Sequence, residues 1–217
     1  VPMYDELNDM PTPAEPYGIA GWAENDKYVF VYDRYDIWRL DPSGKEQPAN
    51  LTEGYGRKHQ MKFRYVKLDP EEEYISTKTP VLLSVFQEET KQAGYASLRM
   101  NKPETPNILV LDDYMFRNIA KAKNAKQIIF TLESFTNYSD VWKTDDRFAS
   151  YQKDTNADPQ QQEYLWGSVE LVSWTNLDGV QLQGLLYKPE NFDSSKKYPM
   201  MVYFYERSSD SFHRYWT

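Results

Sequence analysis

Short apolar runs broken by polar turns recur along the first two thirds of the chain. Tyr28-Val29-Phe30-Val31-Tyr32-Asp33 reads as a strand, with Asp36-Ile37-Trp38-Arg39-Leu40-Asp41 as its antiparallel neighbour and Pro42-Ser43-Gly44 as the turn that follows. The same arrangement returns twice. Val81-Leu82-Leu83-Ser84-Val85-Phe86 is expected to pair with Gly94 to Leu98, and Gln127 to Leu132 with Asp140 to Thr144. The strand starts at 28, 81 and 127 lie 53 and 46 residues apart. The tripeptides Asp36-Ile37-Trp38 and Asp140-Val141-Trp142 lie 104 residues apart, about two such periods. A strand-built repeat near 50 residues predicts β-propeller blades, about three of them, with Trp38 and Trp142 in equivalent places. A generic antiparallel sandwich is the alternative. Residues 1–17, acidic and rich in proline, read as a loop.

The pattern changes after about residue 166. Residues 149–166 are polar and read as a linker. Leu182 and Leu185 to Lys188 predict a strand that ends at Pro189, which cannot donate to a sheet ladder. Asp193 to Lys197 is an all-polar turn. Pro199 then opens Met200-Met201-Val202-Tyr203-Phe204-Tyr205, apolar on both faces, which predicts a strand buried on both sides as in a parallel α/β sheet.

Composition narrows the choices. The chain has 217 residues, of which 16% are aromatic, a richness that suits many short strands. Mean hydropathy is -0.79, yet aromatics and prolines are spread evenly, so wholesale disorder is not expected. The net charge of -8, without a basic stripe, disfavours a nucleic-acid partner. Cysteine is absent, which excludes disulfides, thiolate-bound zinc and thiol catalysis but does not fix the compartment. Val1 to Glu6 carries neither the basic nor the apolar region of a signal peptide. No apolar run approaches the roughly 20 residues of a membrane span. The chain reads as a piece of a longer protein.

Trp174-Thr175-Asn176-Leu177-Asp178-Gly179, Gly184 to Pro189 and Lys197 to Tyr203 resemble the start of the catalytic domain in the prolyl oligopeptidase family of serine peptidases. The nearest likeness is the dipeptidyl-peptidase branch, where the second strand ends in a tyrosine. The resemblance implies a mainly β chain: 1–165 as the last blades of a β-propeller, and 166–217 as the truncated start of an α/β-hydrolase domain. It implies hydrolysis of short peptides by the parent, with the rest of that parent as this chain's partner. It also implies that Tyr205 lends its hydroxyl to the oxyanion hole, a fixed neutral donor beside a developing alkoxide. The family continues with a small residue, then Gly and Pro. Here Glu206-Arg207-Ser208-Ser209-Asp210 follows, so the backbone after Tyr205 is expected to take another path.

The remaining chemistry is thin. No Gly-x-Ser-x-Gly elbow occurs, and Gly167-Ser168 and Ser208-Ser209 lack the flanking glycines. His59 and His213 are the two histidines. His213 reads as a surface or satisfied histidine, and the catalytic triad is expected outside this chain. Glu71-Glu72-Glu73 reads as an acidic solvated turn. Gly54-Tyr55-Gly56 lacks the further glycines of a phosphate loop, no metal-ligand spacing is visible, and no cofactor is expected. A non-catalytic propeller scaffold or binding module, and an ester hydrolase of the same fold, are the competing functions.

Overall fold

A computed structural model describes residues 1–216. It is mainly β, with four antiparallel sheets and almost no helix. The first sheet is a meander of β1 (Ile19–Trp22), β2 (Val29–Tyr32), β3 (Ile37–Leu40) and β4 (Ala49–Asn50). A short helix, α1 (Tyr55–His59), leads to the second meander: β5 (Met61–Tyr65), β6 (Val81–Gln87), β7 (Ala93–Leu98) and β8 (Asn107–Asp112). The third comprises β9 (Met115–Lys121), β10 (Ile128–Ser134), β11 (Asn137–Thr144) and β12 (Tyr151–Lys153). The fourth is a hairpin of β13 (Ser168–Thr175) and β14 (Gln181–Lys188). The three expected strand pairs are β2 with β3, β6 with β7 and β10 with β11. Among the described residues no sheet closes on itself.

The second sheet lies between the first and the third, and its side chains alternate accordingly. Leu83, Val85, Ala96 and Leu98 join Phe30, Ile37 and Leu51 of the first sheet in one core. Leu82 and Tyr95 join Ile128, Phe130 and Leu132 of the third in another. Successive residues of a strand point to opposite faces. The largely apolar run of β6, interrupted by Ser84, therefore serves two cores at once.

The recurrent Asp-apolar-Trp pattern has a structural counterpart. Trp38 and Trp142 both lie on the third strand of their meanders, opposite Val31 and Phe130 of the second strand and Asn50 and Lys153 of the fourth. The buried Asp36 accepts hydrogen bonds from the Thr52 hydroxyl at 2.6 Å and the Gly56 amide at 2.9 Å. The buried Asp140 accepts from the Thr155 hydroxyl at 2.6 Å and the Ala157 amide at 2.9 Å. In each case a carboxylate at the third strand ties down the chain that leaves the fourth. A Cβ at Gly56 would stand 2.7 Å from the Asp36 carboxylate, so a glycine lets that amide come close. Gly54-Tyr55-Gly56 is thus part of a cradle for a carboxylate of the protein itself.

Two expectations need correction. The linker does not begin at 149: Tyr151 to Lys153 pair with β11 as an edge strand, and Tyr151 packs on the second core. Met200 to Tyr205 form no strand. A strand apolar on both faces needs a ladder partner and a cover on each side. Among the described residues this stretch has neither.

Candidate functional site

The last fifty residues are built from turn chemistry. In the β13–β14 hairpin the Asn176 side chain accepts from the amides of Asp178 at 3.0 Å and Val180 at 2.8 Å, and Gly179 takes φ +81°. This sets a register that pairs Ser168 with Lys188 and Thr175 with Gln181. After Pro189 the polar turn is closed on itself. The Asp193 amide donates to the Tyr198 hydroxyl at 2.9 Å, the Asp193 carboxylate accepts from Ser195, and Phe192 stacks on Tyr198 with centroids 5.1 Å apart. The hairpin is moored to the third sheet by Trp166, whose indole donates to the Phe135 carbonyl at 2.6 Å.

Met200 to Tyr205 then run through open solvent, with exposures from 69% at Val202 to 95% at Met201. Tyr205 is 77% exposed, and its hydroxyl has no hydrogen-bond partner among the described residues. Its carbonyl accepts from the Ser208 hydroxyl at 3.1 Å. Arg207 takes φ +52°, in the left-handed region, and a single 3₁₀ turn over Ser208–Ser211 reverses the chain. The backbone after Tyr205 thus turns back towards the sheets.

That return places three charged or aromatic anchors. Lys91, 5% exposed in the β6–β7 turn, donates to Asp210 at 2.8 Å. Arg207 lies 3.5 Å from Asp5. Tyr215 stacks on Trp166, with centroids 4.9 Å apart and planes at 13°, and donates to Asp158 at 2.8 Å. Burial and that carboxylate push the Tyr215 phenol up to about 12.

The other candidates disperse. His59 packs on Tyr55, with ring centroids 4.3 Å apart. His213 is neither on the surface nor satisfied: it is buried, and its Nε2 has no partner among the described residues. Among the described residues neither imidazole hydrogen-bonds a serine, and none gathers a cluster of metal-ligating side chains. The acidic run divides: Glu72 accepts from the Tyr65 hydroxyl at 2.5 Å, while Glu71 pairs with Lys123 at 3.1 Å. Two surface grooves, of about 500 and 540 Å³, take no residue from 166–216.

Sequence reasoning missed the anchors Lys91 and Asp210. They lie 119 residues apart, and no local pattern links them. It also missed the threonines that answer Asp36 and Asp140. Their spacings were visible, since Thr52 and Thr155 follow the acids by 16 and 15 residues.

No protein-family model matches the chain, and no curated protein matches it. Among solved structures the chain is similar to a variant of the AtxE2 isopeptidase with astexin bound. That match has a TM-score of 0.51 at 12% identity and covers 80% of this chain and 26% of the other. The fold is shared with an isopeptidase. A structure from a study of two prolyl endopeptidases matches with a TM-score of 0.37 at 14% identity, over 86% of this chain and 34% of the other. The chain therefore spans about a quarter and a third of the lengths of these two proteins.

Proposed function

We propose that this chain is the junction of a serine-type peptidase of the prolyl oligopeptidase kind. In this reading 1–165 are the last three blades of a β-propeller, and residues from 166 open an α/β-hydrolase domain. The fold likeness to the isopeptidase carries the reading. The repeated meanders with their Asp–Thr ties, and the motifs from Trp174 to Tyr203, support it.

The parent chain supplies the nucleophilic serine, its histidine base and the orienting aspartate, which acylate and deacylate on a short peptide. This chain's own contribution is Tyr205. In the assembled sheet Met200 to Tyr205 pair as a strand, and the tyrosine hydroxyl stands at its carboxyl end, where ligand sites of such sheets lie. There it donates to the oxyanion of the tetrahedral intermediate.

The test is expression of the open reading frame that contains this chain. Labelling by a fluorophosphonate and release of a chromophore from a dipeptide-linked substrate are expected of the parent, and neither of this chain alone. A parent that binds peptides but is neither labelled nor active is a scaffold, and the peptidase reading then falls.

A further inference from the structure

We propose that residues 207–215 form an acid-released strap, held down by a neutral His213 in a buried slot and freed when that imidazole gains a proton. The inference is independent of the peptidase reading, because it concerns the closure of this chain upon itself.

The strap touches four separate parts of the molecule. Arg207 reaches Asp5 of the N-terminal loop, Asp210 reaches Lys91 of the second sheet, and Tyr215 stacks on Trp166 and meets Tyr138 of the third sheet edge-on at 5.2 Å. His213 sits among these anchors, 7% exposed. Among the described residues its buried Nε2 has no hydrogen-bond partner, and the nearest carboxylate oxygen, of Asp113, is 4.0 Å away. That is beyond hydrogen-bond reach.

An unpartnered ring nitrogen is tolerable on a neutral imidazole but not on an imidazolium, whose two N–H groups must both find acceptors. Burial accordingly holds His213 below the usual histidine pKa, while Asp113 and then Asp112 pull it back up. Burial wins because the Asp113 side chain is 69% exposed and water screens its charge. Asp112 ends β8, and Asp113 opens the turn to β9. The other charges near the slot are committed. Asp210 is held by Lys91, Lys188 of β14 by Glu170 at 2.6 Å, and the Arg214 guanidinium lies over the Trp216 ring at 4.2 Å.

The sign follows from linkage. The docked strap binds the proton less well than the released strap. Docking is fully favoured above the ordinary histidine pKa and weakens as pH falls through the lowered one. The window is therefore below about pH 6.5.

The chain has no cysteine, so a single thiol can report on the strap. Ser209 is buried and small, and Ser209→Cys is the probe; Ala96→Cys in the first core controls for general unfolding. Both are reacted with 4,4′-dithiodipyridine, each rate divided by that of the urea-unfolded chain at the same pH. Between pH 7.5 and 5.5 the normalised Ser209→Cys rate should rise, by up to about tenfold, with Ala96→Cys unchanged. Adding His213→Leu should abolish the rise, and adding His213→Arg should give fast labelling at every pH. Hydrogen exchange of residues 207–216 in the unaltered chain repeats the test without substitution. A flat rate in the histidine protein, an equal rise in the leucine variant, or parallel labelling of Ala96→Cys would each overturn the proposal.

Discussion

Asp36 and Asp140 stand at the third strand of two different meanders, and each accepts a hydrogen bond of 2.6 Å from the hydroxyl of a threonine beyond the fourth strand. A charged acceptor in a buried place makes such a bond stronger than a neutral one. Thr52→Val and Thr155→Val should each cost about 1–3 kcal/mol, read from urea unfolding.

The second tie has a pH signature. Burial raises the Asp140 carboxyl, but the hydrogen bonds from Lys153, Thr155 and the Ala157 amide outweigh it and hold the group below its usual range. Its contribution to stability is therefore complete above about pH 4 and is lost as pH falls through the lowered value. Thr155→Val should raise the Asp140 pKa, seen by NMR titration, and move the midpoint of acid unfolding to higher pH. An unchanged titration would mean that Lys153 alone sets the carboxylate.

The tryptophans of the two meanders differ in one atom's partner. The Trp38 indole donates to Asp33 at 3.0 Å, whereas the buried Trp142 indole nitrogen has no acceptor among the described residues. Trp38→Phe removes a donor from a carboxylate that is 1% exposed, and should cost about 1–3 kcal/mol more than Trp142→Phe. Equal losses on denaturant unfolding would show that packing, not the hydrogen bond, decides both.

Met200 to Tyr205 carry no charge, no proline and high β-propensity, the composition of segments that pair with copies of themselves. This chain alone should associate through them. Met201→Lys places a charge at a position that is 95% exposed and should suppress light scattering without moving Tm. Unaltered scattering would move the sticky surface elsewhere, the exposed Leu177 and Val180 being next in line.

If the parent is the proposed peptidase, Tyr205→Phe keeps the ring and loses the donor. The expected fall is about a hundred- to a thousand-fold in kcat and kcat/KM alike, with KM little changed. A variant with nearly full kcat would make Tyr205 an aromatic plug and send the search for the donor to backbone amides.

What the sequence revealed, and what it hid, is visible in one pattern used twice. Val81 to Phe86 and Met200 to Tyr205 are both apolar on both faces. The first finds a ladder partner on each side and a core against each face. The second finds none among the described residues, because periodicity encodes what a strand needs and not what is present to meet it. Central strands were legible for the same reason. Edge strands such as β4, two residues long, and β12, three, bury too little to leave a signal. Tyr205 could be named from its neighbours in sequence, but its surroundings could not.

The Lys91–Asp210 pair closes a loop of 119 residues, whereas each meander is made from strands adjacent along the chain. Closing a loop that long costs entropy before any contact repays it. The three sheets can form from local pairings, so the strap has no surface to land on until they exist. It is the last part to arrive during folding, and one of the first to open in the native ensemble. The histidine that governs it therefore acts on the step with the least free energy to spare.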